Sequence, residues 1–472
     1  MKQIISLIAA SVFFIHCASA QDSADSSLIT FESHTFLATD QVPFWLEMNR
    51  LGQVDDQSQI QQLFLFNWSQ SERSRGGKFC FDYGTTLAGR LSRESAWYAE
   101  QYWGRVGRGR FYFLAGAKAE PVRFNGLSHT NGDLFLSNNA RPNPRGELGF
   151  EGLSPFSKGW FRQLSFDGKY AEYILLDDRF VRHANLHHKR VMINYQIGRK
   201  FTFHVGIDHW VFWGGTSPDP NIGKIPGFKY YLKYVLGKDG GEESPETDQD
   251  NIAGNQLGQN LFGLDFRRQN YELKFFYQHL FEDGSGFLFH NMQDGFWGLS
   301  LERMKEKPLI QSVIIEFVNT TNQSGRYHQY APDPSKPDSL IGEGRDNYFN
   351  HGVYHSGFVS YNRMAGSPLF IPAIARGISV GFESTRLRAL HAGIGGYLSD
   401  QIYWSGRGTY SRHYGSYSAP YPRFRDLYSL EGDLKFHSKR KPVTYGIKVA
   451  SDFGRYLEKS WGCEFSFLYR VR

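Results

Sequence analysis

Adjacent histidine and serine residues at positions 355 and 356 are the first candidates for catalysis in this chain. A serine hydrolase needs the serine hydroxyl hydrogen-bonded to a histidine base. Because neighbouring side chains on a strand point to opposite faces, a regular strand through His355 and Ser356 would hold the two groups apart. The segment His129-Thr130-Asn131-Gly132 itself contains no serine. A hydrolase therefore stays a minor alternative, and we predict that the protein is not an enzyme.

Paired carboxylates are a second catalytic pattern, because glycoside cleavage uses two of them beside the scissile bond. Glu147, Glu151, Glu431 and Asp433 lie in segments where polar and apolar residues alternate. Carboxylates that face an interior are usually paired with cations. We therefore expect ion-pair networks at these positions.

Three histidines, His183, His187 and His188, are close enough in sequence to suggest a metal site. No acidic residue or cysteine at suitable spacing completes a ligand set. We expect these histidines to lie in a turn, and we predict no metal ion and no other cofactor. The net charge of +6 includes no block of like charges, which gives little support to nucleic-acid binding.

The strongest structural signal is the alternation in the last segment of the chain. On a strand, its side chains would form one aromatic face and one mixed face. The aromatic face holds Trp461, Cys463, Phe465, Phe467 and Tyr469, and the mixed face holds Gly462, Glu464, Ser466 and Leu468. An outer-membrane barrel has this arrangement, with apolar residues toward lipid and polar residues toward the lumen.

Similar alternation recurs along the chain, and the composition agrees with it. The 472 residues include 40 Phe, 27 Tyr, 10 Trp and 50 Gly. A soluble β-sandwich or propeller also alternates, but aromatic faces opposed by charges favour a membrane wall. We predict an all-β fold, a transmembrane antiparallel β-barrel of about 18 strands. The predicted strands lie near 61–69, 79–91, 97–105, 110–118, 145–152, 161–170, 189–197, 201–207, 259–267, 271–278, 296–303, 311–319, 354–362, 376–384, 386–397, 401–411, 428–436, 443–449 and 461–469.

The N-terminus predicts export. Residues 1–20 have the features of a signal peptide: Lys2, an apolar stretch over 4–15, and the small residues Ala18-Ser19-Ala20 before a cleavage site. Cys17 leaves lipoprotein processing as an alternative. We expect cleavage after Ala20 and localisation in the outer membrane of a Gram-negative bacterium.

The two later cysteines, Cys80 and Cys463, are predicted to be free thiols. Cys80 shares the polar face of its segment with Asp82, whereas Cys463 lies on an aromatic face. Side chains on opposite faces of a wall cannot reach disulfide geometry.

The mature chain divides into an N-terminal segment, 21–60, which is a candidate plug for the lumen, and a barrel over 61–472. Long insertions at 214–258 and 325–350 are expected on the extracellular side, because barrels of this kind have short periplasmic turns. The first insertion contains a predicted helix over 228–236, which Pro226 would start and Gly237 would end.

Five segments resemble, in the same order, motifs of the Wzi family of outer-membrane capsule-assembly proteins in its Bacteroidetes-type form. They are 43–52 (PFWLEMNRLG), 137–144 (SNNARPNP), 213–215 (WGG), 254–258 (GNQLG) and 346–357 (DNYFNHGVYHSG). Together they span nearly the whole mature chain. The resemblance implies an 18-stranded barrel with a helical plug, and a lectin-like role in holding capsular polysaccharide or exopolysaccharide at the cell surface.

The residues in these motifs suit sugar recognition. Aromatic rings cover the apolar face of a sugar, amides bond to its hydroxyls, and arginine bonds to carboxylates. The candidate carbohydrate-binding residues are Trp45, Asn49, Arg50, Asn138, Asn139, Arg141, Trp213, Asn255 and Gln256. A structural role in the plug, a turn or the interfacial aromatic belt is the alternative for each.

The expected partners are the polysaccharide, outer-membrane lipid and the barrel-insertion machinery. A passive diffusion channel is the main alternative function, because barrels of about 16–18 strands can hold aqueous pores.

Overall fold

In the computed structural model, 18 strands form one closed antiparallel barrel. The structure describes residues 26–73, 79–156, 158–242, 244–245, 252–282, 284–304, 307–323 and 346–471. The predicted signal peptide, most of the acidic stretch near 242–250 and most of the 325–350 insertion lie outside the described residues. The first strand pairs with the last, from Ile29 opposite Val471 to Ala38 opposite Gly462, and this pairing closes the wall.

The strands, in chain order, are β1 Ser26–Ala38, β2 Ile60–Arg73, β3 Cys80–Leu91, β4 Ala96–Arg108, β5 Phe111–Ala117, β6 Arg145–Leu153, β7 Leu164–Ile174, β8 Asn185–Ile197, β9 Phe201–Trp213, β10 Asn255–Arg267, β11 Tyr271–Phe281, β12 Gly295–Arg303, β13 Ser312–Asn319, β14 Val359–Ser360, β15 Arg363–Met364, β16 Pro372–Ala375, β17 Ile378–Phe382, β18 Leu387–Ser399, β19 Ile402–Gly415, β20 Pro420–His437, β21 Val443–Gly454 and β22 Ser460–Val471. β14–β15 and β16–β17 are separate two-stranded sheets, and the other strands form the wall. The short α-helices are α1 Phe44–Glu47, α2 Tyr231–Leu236 and α3 Gly284–Phe287, and the 3₁₀ turns are Phe124–Gly126, Trp160–Gln163 and Phe228–Tyr230.

The faces of the closing strand are as predicted. Trp461 and Phe465 are 60% and 47% exposed on the outer face of β22, whereas Glu464 is 3% exposed. Glu464 points into the barrel, where its carboxylate contacts the His34 ring at 2.7 Å and the Arg50 guanidinium. The alternation therefore separates a lipid-facing exterior from a polar lumen.

The prediction of two free cysteines is confirmed. The Cys80 thiol faces the lumen, where its sulfur lies 3.4 Å from an Asp82 carboxylate oxygen. Cys463 points to the outward face of β22, whereas its neighbours Gly462 and Glu464 are buried on the lumenal face.

The connections differ in length at the two ends of the barrel. The described chain ends, Ser26 and Val471, lie at the same end of the barrel as the short turns, such as 109–110, 198–200 and 400–401. The long connections 39–59, 118–144, 214–254 and 320–386 all lie at the other end. By the usual pattern of outer-membrane barrels, the short-turn end is periplasmic and the long-loop end extracellular.

The barrel begins earlier than the predicted boundary at residue 61, because 26–38 forms the wall strand β1. This strand was missed because its faces are mixed: Phe36 shares the lumenal face with Glu32 and His34, while Ser33 faces outward with Phe31. The predicted wall strands at 354–362 and 376–384 are also wrong, since these regions hold the small hairpins β14–β15 and β16–β17.

Three of the long connections fold back into the barrel and form what we call the plug: 39–59, 118–144 and the described residues 346–386. Backbone hydrogen bonds join them, from Leu51 N to Asn138 O (2.8 Å) and from Ser137 N to Ala365 O (3.0 Å). Its apolar core includes Leu134, Phe135, Phe349, Phe358 and Phe370, each at most 1% exposed. α1 docks on the wall, where Phe44 N donates to the Asp452 carboxylate at 2.7 Å. The plug therefore occupies the extracellular half of the lumen.

Among the described residues, no helix is both long and apolar enough to span a membrane.

Candidate functional site

Three of the predicted binding residues, Asn49, Arg50 and Asn138, line one lumenal cavity of about 460 Å³. Their side chains also hold the plug in place. The Asn49 amide donates to the His129 carbonyl at 2.9 Å, and the Asn138 amide donates to the Glu120 carbonyl at 2.9 Å. Arg50 pairs with Glu464 of the wall.

Trp45, Asn139 and Arg141 lie in the packed plug. Trp45 is fully buried, with the Arg407 guanidinium 4.3 Å from its ring centre. The Asn139 amide donates to the Met364 carbonyl at 3.0 Å. The Arg141 guanidinium lies 3.6 Å from the centre of the Tyr98 ring and 4.4 Å from that of Tyr361. These contacts favour the structural role for the three residues.

Trp213, Asn255 and Gln256 lie where β9 and β10 reach the long-loop end. Trp213 is on the outside of the wall and donates its indole N–H to the Glu172 carboxylate at 3.2 Å. Asn255 is 2% exposed, and the Gln256 amide donates to the Ala253 carbonyl at 2.6 Å. The nine predicted residues therefore do not form one site.

His355 and Ser356 lie in a turn before β14, not in a regular strand. The Ser356 hydroxyl accepts a hydrogen bond from Phe180 N at 2.9 Å, and the His355 ring packs against the Phe180 ring. A different serine–histidine contact occurs in β19, where Ser411 Oγ and His413 Nε2 are 3.0 Å apart. Both residues of that contact are fully buried, so a substrate cannot reach them.

The prediction that His183, His187 and His188 lie together in a turn is wrong. Only His183 is in a turn; His187 and His188 are in β8 and point to opposite sides of the wall. His187 lies 2.5 Å from Glu172 on the outer side, and His188 lies 2.5 Å from Asp208 on the lumenal side. No group of metal-binding side chains occurs within the described ranges.

The four carboxylates considered for glycoside cleavage are paired with cations, as predicted. Their ion-pair partners are Arg145 for Glu147, Arg105 for Glu151, Arg407 and Lys448 for Glu431, and Lys435 for Asp433.

The larger lumenal cavity, of about 780 Å³, lies in the periplasmic half of the barrel. Aromatic rings and charged groups line it together: the Lys118 ammonium lies 3.7 Å from the centre of the Trp103 ring, and the Arg105 guanidinium 4.4 Å from that of Tyr112. Lys118, Arg123 and Lys169 line it without a carboxylate in ion-pair range among the described residues. This cavity is lined by slightly more cationic than anionic side chains, but the plug separates it from the cell surface.

At the extracellular end, the β19–β20 hairpin rises above the rest of the wall. A transmembrane β-strand needs about 9–11 residues, whereas β20 has 18. Its pairing with β21 begins only at Leu427 opposite Gly454, so residues 420–426 extend beyond that neighbour. Gly415 adopts a positive φ of 80° where the hairpin turns, a conformation that glycine adopts at little cost. The tip therefore projects toward the cell exterior.

Two arginine–tyrosine pairs occur at this rim, and we call them the rim pairs. The Arg386 guanidinium lies 4.0 Å from the centre of the Tyr417 ring, and the Arg425 guanidinium lies 4.1 Å from that of Tyr421. Tyr421 and Arg425 share the alternating face of β20 that continues into the lumenal Ser429.

The rim pairs have spare hydrogen-bonding capacity. Among the described residues, no carboxylate lies within ion-pair distance of Arg386 or Arg425. Arg386 Nε donates to the Thr321 carbonyl at 3.3 Å, and the Tyr421 hydroxyl donates to Glu383 at 3.4 Å. Because each guanidinium carries five N–H donors, most donors of both arginines are available to a ligand.

The rim pairs lie outside the five motif segments, so those motifs did not predict them. A signal was present: residues 410–428 contain five tyrosines and three arginines, Tyr410, Arg412, Tyr414, Tyr417, Tyr421, Arg423, Arg425 and Tyr428. This local density exceeds what a lipid-facing aromatic face requires.

Comparison with solved structures places the fold. Wzi of Escherichia coli, described as an outer-membrane protein involved in group 1 capsule assembly and a carbohydrate-binding β-barrel, aligns with a TM-score of 0.56 and 14% identity, over 93% of this chain and 83% of that one. The protein is an all-β transmembrane barrel of the outer-membrane type.

Pseudomonas aeruginosa OprD and OpdQ align with TM-scores of 0.47 and 0.46, each at 8% identity, over 95% of this chain and 93% and 99% of theirs. No protein-family model and no curated protein sequence matches the chain.

Proposed function

We propose that this barrel binds capsular polysaccharide or exopolysaccharide at the cell surface and helps to anchor it there, without catalysis. The observation that carries the proposal is the pair of arginine–tyrosine contacts at the extracellular rim. Tyrosine rings offer platforms for the C–H face of a sugar. Arginines that have no carboxylate partner in the described part of the chain offer paired N–H donors for the carboxylate of an acidic sugar.

The position of these groups supports a surface role. The rim pairs lie at the long-loop end, on the side of the plug that faces the cell exterior. A polymer that touches many copies of the barrel gains avidity from weak individual contacts, so a shallow site is sufficient for anchoring. The carbohydrate-binding description of Wzi, whose fold this chain shares, agrees with this role.

The experiment that tests the proposal compares a deletion strain with its parent. Polysaccharide in the culture medium and on washed cells is measured by an acidic-sugar assay. The deletion strain is expected to release polymer that the parent retains, and plasmid-borne protein is expected to restore retention. A deletion strain that keeps its polymer as firmly bound as the parent would contradict the anchoring role.

A binding assay supplies the molecular counterpart. Purified barrel in nanodiscs is expected to retain acidic polysaccharide from the producing strain and not neutral dextran, and this retention is expected to fall with added salt because exposed charge contacts are screened. Equal retention of both polymers would remove the role given to the arginines.

A passive channel is the second candidate, and the lumenal cavities of about 780 and 460 Å³ are the observation in its favour. Both cavities lie toward the periplasmic side of the plug, whose buried aromatic core fills the extracellular half of the lumen. This packing favours binding over permeation.

A further inference from the structure

One sector of the outer wall is polar where it should face lipid. Tyr170 and Ile174 on the outer face of β7 are 40% and 58% exposed, as lipid-facing residues should be. Glu172 lies between them on the same face. Neighbouring strands continue the polar sector toward the extracellular end, with His187, Lys189, His209 and Gln256 facing outward. Uncovered polar groups at this position would be costly in a membrane.

A segment of the 214–254 connection covers this sector, and we call residues 227–237 the strap. The Tyr231 hydroxyl donates to Glu172, and Lys189 Nζ donates to the Val235 carbonyl. The Gln256 amide donates to the Tyr234 carbonyl at 3.2 Å. These bonds satisfy polar groups of the wall that lipid cannot satisfy.

The strap also forms a small apolar core with the outside of the wall. Tyr234 of α2 and Val211 of β9 are both fully buried, and they pack with Ala253, Trp213 and Tyr230. The strap is therefore fixed against the exterior of the barrel.

The outer side of the strap is apolar. Phe228, Leu232 and Leu236 are 80%, 70% and 62% exposed. Their spacing of four residues places them on one side of the helical segment. The strap is joined to the lipid-facing wall through the contact between the Tyr231 and Tyr170 hydroxyls, so its apolar side continues the lipid-facing surface.

The strap and the residues next to it carry lysines and no acidic residue. Lys224, Lys229, Lys233 and Lys238 occur between 221 and 238, and the acidic stretch of this connection begins after them at Asp239. Amphipathic helices with aromatic or leucine residues on one face and lysines on the other lie in membrane interfaces, especially those with anionic lipids.

A second covering segment, formed by residues 286–292 between β11 and β12, repeats the arrangement beside the first. The outward-facing His279 of β11 is fully buried, because Phe289 stacks on its ring with centres 4.4 Å apart. Residues Leu288 and Met292 of this connection are 67% and 70% exposed. Two neighbouring connections thus replace a polar wall surface by an apolar one.

We propose that the strap is embedded in the outer leaflet of the membrane, with Phe228, Leu232 and Leu236 among the acyl chains and its lysines at the phosphate groups of anionic lipids. The strap then acts as a lipid-binding collar on one side of the barrel. This inference does not depend on polysaccharide binding.

Site-directed spin labelling of the full mature chain tests the proposal. In a background with Cys80→Ser and Cys463→Ser, the variants Phe228→Cys and Leu232→Cys are labelled and reconstituted in vesicles of phosphatidylcholine and phosphatidylglycerol. Val205→Cys on the outer face of β9, which is 49% exposed, is the lipid control. Glu94→Cys in the exposed extracellular turn is the water control. Heat-modifiable mobility on a gel shows that each variant has folded.

Both strap labels are expected to collide with oxygen in preference to a water-soluble nickel chelate, as the label at position 205 does. Nickel accessibility equal to that at position 94 would overturn the proposal, because the strap would then face water. Spin–spin broadening that disappears on dilution with unlabelled protein would also overturn it, because a second copy would then cover the strap.

The lysine contribution has a separate readout. Lys229→Gln with Lys233→Gln is expected to lower the phosphatidylglycerol that co-purifies with each barrel, measured as phosphate per protein. The matched control is Lys439→Gln with Lys441→Gln in the periplasmic turn 438–442. An equal fall in both double variants, or no fall in either, would overturn the part of the proposal that assigns anionic lipid to the strap.

Discussion

An arginine over a tyrosine ring contributes in two ways at the rim, by stacking and by its N–H donors. In Arg425→Ala both contributions are lost, and in Arg425→Lys the charge remains while the planar donor fork is lost. We expect Arg425→Ala to weaken binding of acidic polysaccharide by roughly fivefold, equivalent to about 1 kcal/mol. The affinity of Arg425→Lys for the polysaccharide should lie between that of Arg425→Ala and that of the unmodified protein.

Surface plasmon resonance on nanodisc-embedded barrel measures this difference. Arg440→Ala is the matched control, because Arg440 is an exposed arginine in the periplasmic turn 438–442. If Arg425→Ala and Arg440→Ala bind equally well, the rim does not contact the polymer.

A histidine in the plug predicts a local dependence on pH. His351 Nδ1 accepts hydrogen bonds from Val353 N at 3.1 Å and Tyr354 N at 3.3 Å. Burial, helped by the nearby His355, lowers the pKa of His351 from 6.5 to about 4. A depressed histidine pKa means that the unfolded segment binds the proton more readily. The stabilisation that neutral His351 gives to this part of the plug is therefore complete above pH 6.5, and it is lost as the pH falls toward 4.

Hydrogen exchange of the Val353 and Tyr354 amides checks this prediction. After correction for intrinsic rates, protection should decrease as the pH falls from 6.5 toward 4. His351→Asn keeps an oxygen acceptor but does not titrate in this range, so its protection should be independent of pH. An equal decrease in that variant would assign the effect to another group.

At the level of elements, sequence periodicity predicts most of the wall because one physical requirement acts along it. Each strand must place apolar residues toward lipid and tolerate polar residues toward the lumen, and β22 shows both. β1 was missed because its faces are mixed. The hairpins β14–β15 and β16–β17 alternate as wall strands do, but they belong to the plug. Val359 and Phe382 are buried in its core, whereas Ile374 and Val380 are 53% and 44% exposed.

The helix predicted over 228–236 is confirmed as the 3₁₀ turn Phe228–Tyr230 followed by α2, and Gly237 ends it with a φ of 60°. Its place outside the barrel was not predictable from this local pattern, because the polar wall sector that it covers is formed by strands distant in sequence. The nine candidate binding residues stay a prediction, and their dispersal over the plug and the strand ends was not predictable for the same reason. Motifs such as 137–144 mark the plug, where buried amides satisfy backbone groups.

The plug and the wall should respond separately to mutation. Phe135 is 1% exposed, and its ring lies 5.3 Å from Phe349 and 5.6 Å from Phe358 between ring centres. Replacing such a phenylalanine by alanine costs about 3–5 kcal/mol. In Phe135→Ala we expect faster hydrogen exchange in the plug, with the central wall strands still protected by their ladders.

Mass-spectrometric hydrogen exchange distinguishes the two regions. Phe156→Ala is the control, because Phe156 is 44% exposed in the periplasmic connection 154–163. That variant should leave the plug unchanged. Uniform loss of protection across plug and wall in Phe135→Ala would show that they unfold as one unit.

For the whole molecule, the packing of the plug decides between binding and permeation. A barrel of 18 strands is wide enough for a water-filled channel, so the wall alone would permit conduction. The plug opposes it by filling the extracellular half with buried rings and by ion pairs such as Glu47 with Arg363 at 2.6 Å. We expect no steady conductance from the unmodified barrel in a planar bilayer.

A plug that is loosened at two points should change this result. The double variant Phe135→Ala with Arg363→Ala removes a core ring and the cation paired with Glu47, and it leaves every residue of the wall in place. We expect it to show intermittent channel openings, because water can then enter a lumen whose remaining surface is polar. Steady conductance from the unmodified protein would instead favour the diffusion channel, since a lumen that already conducts needs no loosening of its plug.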